Sequence, residues 1–222
     1  MYKRQPSLPA GFGRRADLLL AGTDADLARF LPGDSGTRQP VHTCYVSADL
    51  VTEGTPAEWG ATAASAAEEA GGLAALAELA GIDAAAAPDL VARVREKLRT
   101  EPVEDLRLDL EDGYGERPDA EEDADAVRAA HTVAAFARNR ASGEAPAPAF
   151  AGIRFKCFEA ATRTRGLRTL DLFLSTLVRE GGLTEAGISE DGLPAGLVLT
   201  LPKVSAVERV AVMVEALSLI HI

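Results

Sequence analysis

Residues 106–115, LRLDLEDGYG, decide how this chain is read. Leu106, Leu108 and Leu110 alternate with Arg107, Asp109 and Glu111. Period-two alternation predicts a strand with leucines on one face and charges on the other. Asp112 follows at the strand end, and Gly113 and Gly115 supply a turn. Acids on the inner face and lip of a strand are costly unless a cation sits among them. A divalent metal held by oxygen ligands would serve, and so would an arginine. Acids ahead of a glycine turn also cap a following helix without doing chemistry, so the motif alone leaves a structural role open.

The charge balance sharpens this. The chain has 222 residues and a net charge of −11. That argues against a nucleic-acid partner and against an anionic membrane surface. Twelve acids lie between Glu101 and Asp125, opposed only by Arg107 and Arg117, so much of the imbalance is local to the organising stretch. The run from Asp119 onward fits the first turn of a helix, where acids favour the dipole. Hydrophobic residues make up 47% of the chain, enough for a sizeable core. Cys44 and Cys157 have no CxxC spacing and read as two buried thiols of a reducing cytosol. Leu18–Leu20 is too short an apolar run for a leader or a membrane span, and a cytoplasmic location is expected.

Outward from the acidic strand, the chain alternates between two periodicities. Residues 1–40 read as an irregular basic arm with a helix over 16–30. Residues 41–47, VHTCYVS, are β-branched and aromatic and predict the first strand. The Ala-rich segment 53–87, interrupted by Gly71 and Gly72, predicts two outer helices, the first anchored by Trp59. Residues 88–98 and 119–140 predict further helices. Residues 152–158, GIRFKCF, predict a third strand, 168–179 a helix, 181–194 a loop, 197–201 a fourth strand and 204–217 the helix after it. Strands alternating with helices imply βαβ units and a parallel α/β sheet. A doubly wound sheet and a (β/α)8 barrel both fit. No GxGxxG or GxxxxGK[ST] follows the first strand, which counts against a Rossmann fold.

Three strand ends carry polar residues: Asp109, Glu111 and Asp112 on the second, Arg154 and Lys156 on the third, Lys203 after the fourth. Sites in parallel α/β folds gather at the carboxyl ends of strands. Together these groups could bind a metal, a substrate carboxylate and an enolate. Each has a plainer alternative. Arg154 could simply neutralise Asp109 or Glu111, and Lys203 could be a surface lysine. His42 and His131 lack metal spacing, and Asp171 reads as a solvated helix residue.

In this order, LDLEDGYG at 108–115, GIRFK at 152–156 and LTLPKV at 199–204 resemble the motifs of the HpcH/HpaI aldolase and citrate lyase β-subunit family. That family belongs to the pyruvate/phosphoenolpyruvate-binding TIM-barrel superfamily. The likeness is closest to an actinobacterial aldolase-like branch and spans about residues 41–215. It implies a (β/α)8 TIM barrel of which residues 41–216 are about the first half, with residues 217–222 as a tail foreign to it. It implies a lyase that makes or breaks a carbon–carbon bond beside a carbonyl, using Mg2+ or Mn2+ to stabilise an enolate. The substrate would be a keto acid or carboxylate, or a coenzyme A thioester. Arg154 would contact its carboxylate or carbonyl oxygen and is a catalytic candidate, with Lys156 as a second binding residue and Lys203 lining the site as a further catalytic candidate. Glu111 and Asp112 would stand near the metal through its waters.

Lys156 stands where the family has an asparagine. The direct metal ligands of the family, a Glu and an Asp, come from a fifth and sixth strand. Such a barrel takes about 250 residues, so the four strands found predict an incomplete copy, inactive alone, with an exposed half-barrel edge and a homo-oligomeric full-length form. Two other readings use the same residues: a Schiff-base aldolase with Lys156 or Lys203 as nucleophile, and a non-catalytic homologue that binds a small carboxylate.

Overall fold

A computed structural model describes residues 8–180 and 193–220 of the chain. The chain divides into two compact units, Met1–Gln39 and Pro40–Ile222. Among the described residues of the first unit a single helix, α1 (Phe12–Phe30), has no buried residue, and Leu18, Leu19 and Leu20 are all exposed.

The second unit is built on four parallel strands: β1 (Thr43–Ser47), β2 (Asp105–Asp109), β3 (Phe150–Arg154) and β4 (Leu197–Thr200), side by side in that order. Between β1 and β2 lie α2 (Thr55–Glu69), α3 (Leu73–Leu79) and α4 (Ala87–Thr100). The sequence explains them: Pro56 and Pro88 sit in first turns, Gly72 stands between α2 and α3, and Lys97 and Arg99 close α4 at its negative end. Then α5 (Asp119–Ser142) joins β2 to β3, α6 (Arg163–Glu180) follows β3, and α7 (Val207–Leu219) follows β4. Asp119, Glu121 and Glu122 open α5, and Gly143, at φ 70°, ends it.

Strand order rises without reversal, and this has a consequence. Right-handed crossovers that always step the same way lay the connecting helices on one face of the sheet. That face is the leucine face. Leu106, Leu108 and Leu110 are 0% exposed and share a core with Ile153 of β3, Ala130, Val133 and Phe136 of α5, and Leu170, Phe173, Leu174 and Leu177 of α6. Met213, Ala216, Leu217 and Ile220 pack against the same core from α7 and its end. Leu217 and Ile220, set outside the domain on sequence, therefore join its last helix in covering the sheet.

Three expectations shift. Trp59 does not anchor α2; it is 40% exposed. Thr55, Pro56, Gly60 and Ala67 are the buried residues of the helix, and Gly60 lets α4 approach so closely that a Cβ on it would lie 2.3 Å from the Leu98 carbonyl oxygen. The third strand stops at Arg154, four residues short of Phe158, and Lys156 beyond it turns to a buried partner. And α6 starts at Arg163 rather than Arg168: Gly166, a weak helix former, is required where a Cβ would meet the Lys156 carbonyl oxygen at 2.2 Å. Residues 181–192 of the expected loop lie outside the described residues. Among the described residues no helix is long and apolar enough to cross a membrane. Cys44 is half-buried, Cys157 is buried and both are free.

Candidate functional site

The face opposite the helices carries the charges. Parallel register sets Ser47, Asp109, Arg154 and Thr200 side by side at the carboxyl ends of the four strands. Two residues deeper stand Tyr45, Arg107, Gly152 and Val198. The row below that begins Thr43, Asp105 and Phe150.

In the deepest row the Thr43 hydroxyl donates to Asp105 at 2.8 Å, and Arg107 binds the same carboxylate through Nε (2.5 Å) and Nη2 (2.7 Å). Nη1 of Arg107 reaches Thr200 Oγ1 at 2.7 Å. These groups cancel one another and tie β2 across to β4.

At the rim, Asp109 is almost fully buried and four donors converge on it. Arg154 donates from Nε (2.8 Å) and Nη2 (2.5 Å), and the amides of Glu111 (3.0 Å) and Gly113 (2.8 Å) complete the set. Burial by itself would raise the Asp109 pKa; the Arg154 hydrogen bonds and the two amides outweigh it and hold the carboxyl below its ordinary range. Gly113 is needed for this approach, since a Cβ there would lie 2.6 Å from Asp109 Oδ2. Gly115, at φ 77°, makes the turn itself. Both glycines of the DGYG segment thus have assigned work.

Arg154 is held by one edge only. Asp109 occupies the Nε–Nη2 edge; the Tyr45 ring lies 4.6 Å from the guanidinium carbon. Among the described residues no acceptor bonds Nη1, and the side chain is 22% exposed. A second planar edge therefore faces outward, already oriented. Tyr45 was not singled out on sequence. Its signal is parity, because it shares the charged face and stands one row below Ser47 in β1.

Beside Arg154 lies a second group. Glu111 Oε2 is 4.0 Å from Arg154 Nε, and Glu111 Oε1 is 2.5 Å from Lys203 Nζ. Lys203 also donates to Asp112 Oδ1 at 2.9 Å, and the Asp112 amide donates to Glu111 Oε2 at 3.1 Å. Three carboxylates and two protein cations thus share the rim. Lys203 has a φ of 53°, the one non-glycine residue with positive φ among those described. Such a conformation costs about 1–3 kcal/mol and persists where its surroundings impose it. Its hydrogen bonds to Asp112 and Glu111 keep the Lys203 ammonium protonated well above the ordinary range.

Lys156 does not join this rim. It points beneath the DGYG turn, donating to the carbonyl oxygens of Leu110 (3.1 Å) and Gly115 (3.2 Å) and to Glu122 Oε2 (2.8 Å). Glu122 is fully buried and also accepts from Thr169 Oγ1 at 2.7 Å, with Arg165 Nε 3.4 Å away. Nearby, the Tyr114 hydroxyl donates to Asp125 at 2.6 Å, and burial and then that carboxylate push the phenol pKa up. Asp171 is exposed and accepts from Ser175, and His42 Nε2 accepts the Glu104 amide at 3.2 Å; both keep to ordinary structural roles.

The residues at the rim do not fit a directly bound divalent ion. Mg2+ takes near-octahedral oxygen ligands. Among the described residues no three His, Cys, Asp or Glu side chains converge as a metal-binding group. Asp109 is saturated by four donors, and Glu111 and Asp112 already share the ammonium of Lys203.

Residues 20–221 match the family model described as "Domain of unknown function (DUF6986)", and the chain belongs to that family. No curated protein and no solved structure matches the chain.

Proposed function

We propose that this member of the DUF6986 family binds a small keto acid or related carboxylate at the carboxyl ends of its strands, with Arg154 as the anchor. One observation carries the reading. Asp109 grips Arg154 by one edge, the Tyr45 ring supports it, and the other edge is left open beside the rim. A guanidinium edge pairs with a carboxylate by two parallel charge-assisted hydrogen bonds. Orientation in advance removes much of the ordering cost of that contact.

The wider reading is that the four strands are the first half of a (β/α)8 barrel of the HpcH/HpaI aldolase and citrate lyase type. The DLED, GIRFK and LPK motifs support it, and so does a strand order that rises without reversal. On that reading the reaction class is carbon–carbon lysis or condensation beside a carbonyl, in the cytoplasm, with the chain a homo-oligomer at full length. A divalent ion, Mg2+ or Mn2+, would draw its direct ligands from outside the described residues. What the described residues supply is the carboxylate anchor.

The Schiff-base reading finds less support. An imine-forming lysine must spend time neutral. Lys156 directs its ammonium at two carbonyl oxygens and a buried carboxylate, and Lys203 faces two carboxylates. Borohydride with pyruvate is expected to leave both unmodified.

Calorimetric titration of pyruvate or oxaloacetate tests the anchor. Binding by the parent chain, lost in Arg154→Ala with an unchanged circular dichroism spectrum, is the expected result. Equal binding by parent and variant would remove Arg154 from the site.

A further inference from the structure

We infer that Lys203 is the resident cation of the Glu111–Asp112 pair and closes that pair to a divalent metal ion. The inference rests on the placement of the acids and not on keto-acid binding, so the two can fail separately.

Four observations meet at this residue. First, its ammonium bonds both carboxylates, at 2.5 Å to Glu111 and 2.9 Å to Asp112. Second, its backbone takes a positive φ of 53°, which is uncommon in a residue with a Cβ. Third, the Lys203 carbonyl oxygen accepts from Arg209 Nη1 at 2.6 Å, so α7 fixes the backbone from which the side chain reaches across the rim. Fourth, the remaining Glu111 oxygen accepts the Asp112 amide, which turns it toward the loop. A bound Mg2+ would stand about 2.0–2.1 Å from its carboxylate oxygens. Lys203 Nζ is already 2.5 Å from Glu111 Oε1. Two cations cannot share that oxygen at such range without strong repulsion. Metal and lysine therefore compete for that oxygen.

The acids that the resemblance sets near a metal are thereby given a different task in this chain. They hold the LPK segment, and with it the start of α7, against the turn that follows β2.

The test is titration of Mn2+ into the full chain, followed by the electron paramagnetic resonance signal of the free ion. Lys203→Met is expected to take up one Mn2+ per chain with an affinity at least tenfold above that of the parent. Lys203→Gln should behave alike and guards against a fold defect peculiar to the apolar variant. Lys203→Arg, which keeps the cation, should match the parent. Adding Glu111→Gln to Lys203→Met should abolish the gain. In the parent chain, millimolar Mn2+ should leave the Asp112 amide resonance sharp. Broadening of that resonance, or a Lys203→Met protein with native circular dichroism and no gain in affinity, overturns the inference. So would a gain that survives Glu111→Gln.

Discussion

Arg154 and Lys156 are two residues apart at the end of β3, yet they serve two ion clusters of opposite character. Arg154 belongs to the rim, where Asp109, Glu111, Asp112 and Lys203 gather. Lys156 belongs to a sealed cluster beneath the same turn, with Glu122, Thr169 and Arg165. The sealed cluster is turned inward: the Lys156 ammonium has three acceptors, and Glu122 is fully buried among donors. The rim cluster is open: one guanidinium edge faces outward and Lys203 is half-exposed. Ion pairs of one chemistry thus divide the labour. The sealed set holds the loop, and the open set is where a ligand can be met.

The largest expected effect follows from breaking the sealed set. Removing one member of a buried pair strands the other and costs about 3–5 kcal/mol. Because Arg165 and Thr169 still face Glu122, Lys156→Met should fall at the lower end, about 3 kcal/mol, in urea unfolding at pH 7. The turn carrying Glu111 and Asp112 would lose two carbonyl tethers with it. A loss under about 1 kcal/mol would place Lys156 with surface pairs and erase the contrast.

Much of this was legible in the sequence, and the reasons are specific. Alternation in LRLDL placed Leu106 and Leu108 on the helix-covered face and Asp109 on the other, because strand parity is a local property. Asp109, Glu111, Asp112, Arg154 and Lys203 were all candidates, and the fold brings all five to one rim. Lys156 was grouped with Arg154 by the same parity, and it escaped because the strand ends at Arg154. Beyond that ending it meets Glu122 from α5, a contact no local pattern contains. Tyr45 and Gly166 were missed for a similar reason. A stacking ring and a close helix approach depend on which residues register or crossovers bring alongside. The left-handed backbone of Lys203 also left no mark, since glycine or asparagine is the usual signal for it.

A middle-sized effect belongs to Arg154→Ala. Asp109 would keep the amides of Glu111 and Gly113 and lose two charge-assisted bonds. About 2 kcal/mol is expected, from the usual worth of hydrogen bonds to charged groups. This effect carries a pH signature. Asp109 titrates lower in the folded chain than an ordinary carboxyl. Its stabilisation is therefore full above the unfolded pKa, about 4, and is lost as pH falls through the lower folded value. The stability gap between parent and Arg154→Ala should hold from neutrality down to about pH 4, narrow below that and close as pH falls through the folded value. A gap independent of pH from 7 to 3 would mean that the variant acts through packing on Tyr45 rather than through charge.

The smallest effect sharpens the comparison from the other side. Asp112 is the most exposed member of the rim, its side chain 63% accessible, and it pairs with a lysine 48% accessible. Both charges keep most of their hydration, so the pair gains little from folding and salt screens it further. Glu111, far less accessible, holds the same ammonium at 2.5 Å and would keep Lys203 in place. Asn at position 112 would also retain an oxygen able to accept from Lys203. Asp112→Asn should therefore leave the thermal midpoint at 0.15 M salt unchanged within experimental scatter, while the matching change at Glu111 lowers it. If Asp112→Asn were as damaging as Arg154→Ala, the outer carboxylate would be part of the load on Lys203, and the rim would have to be treated as a single coupled network. If it is silent, the energy that holds Lys203 in its left-handed backbone comes from Glu111 and Arg209, and Asp112 is left available to face whatever binds at the rim.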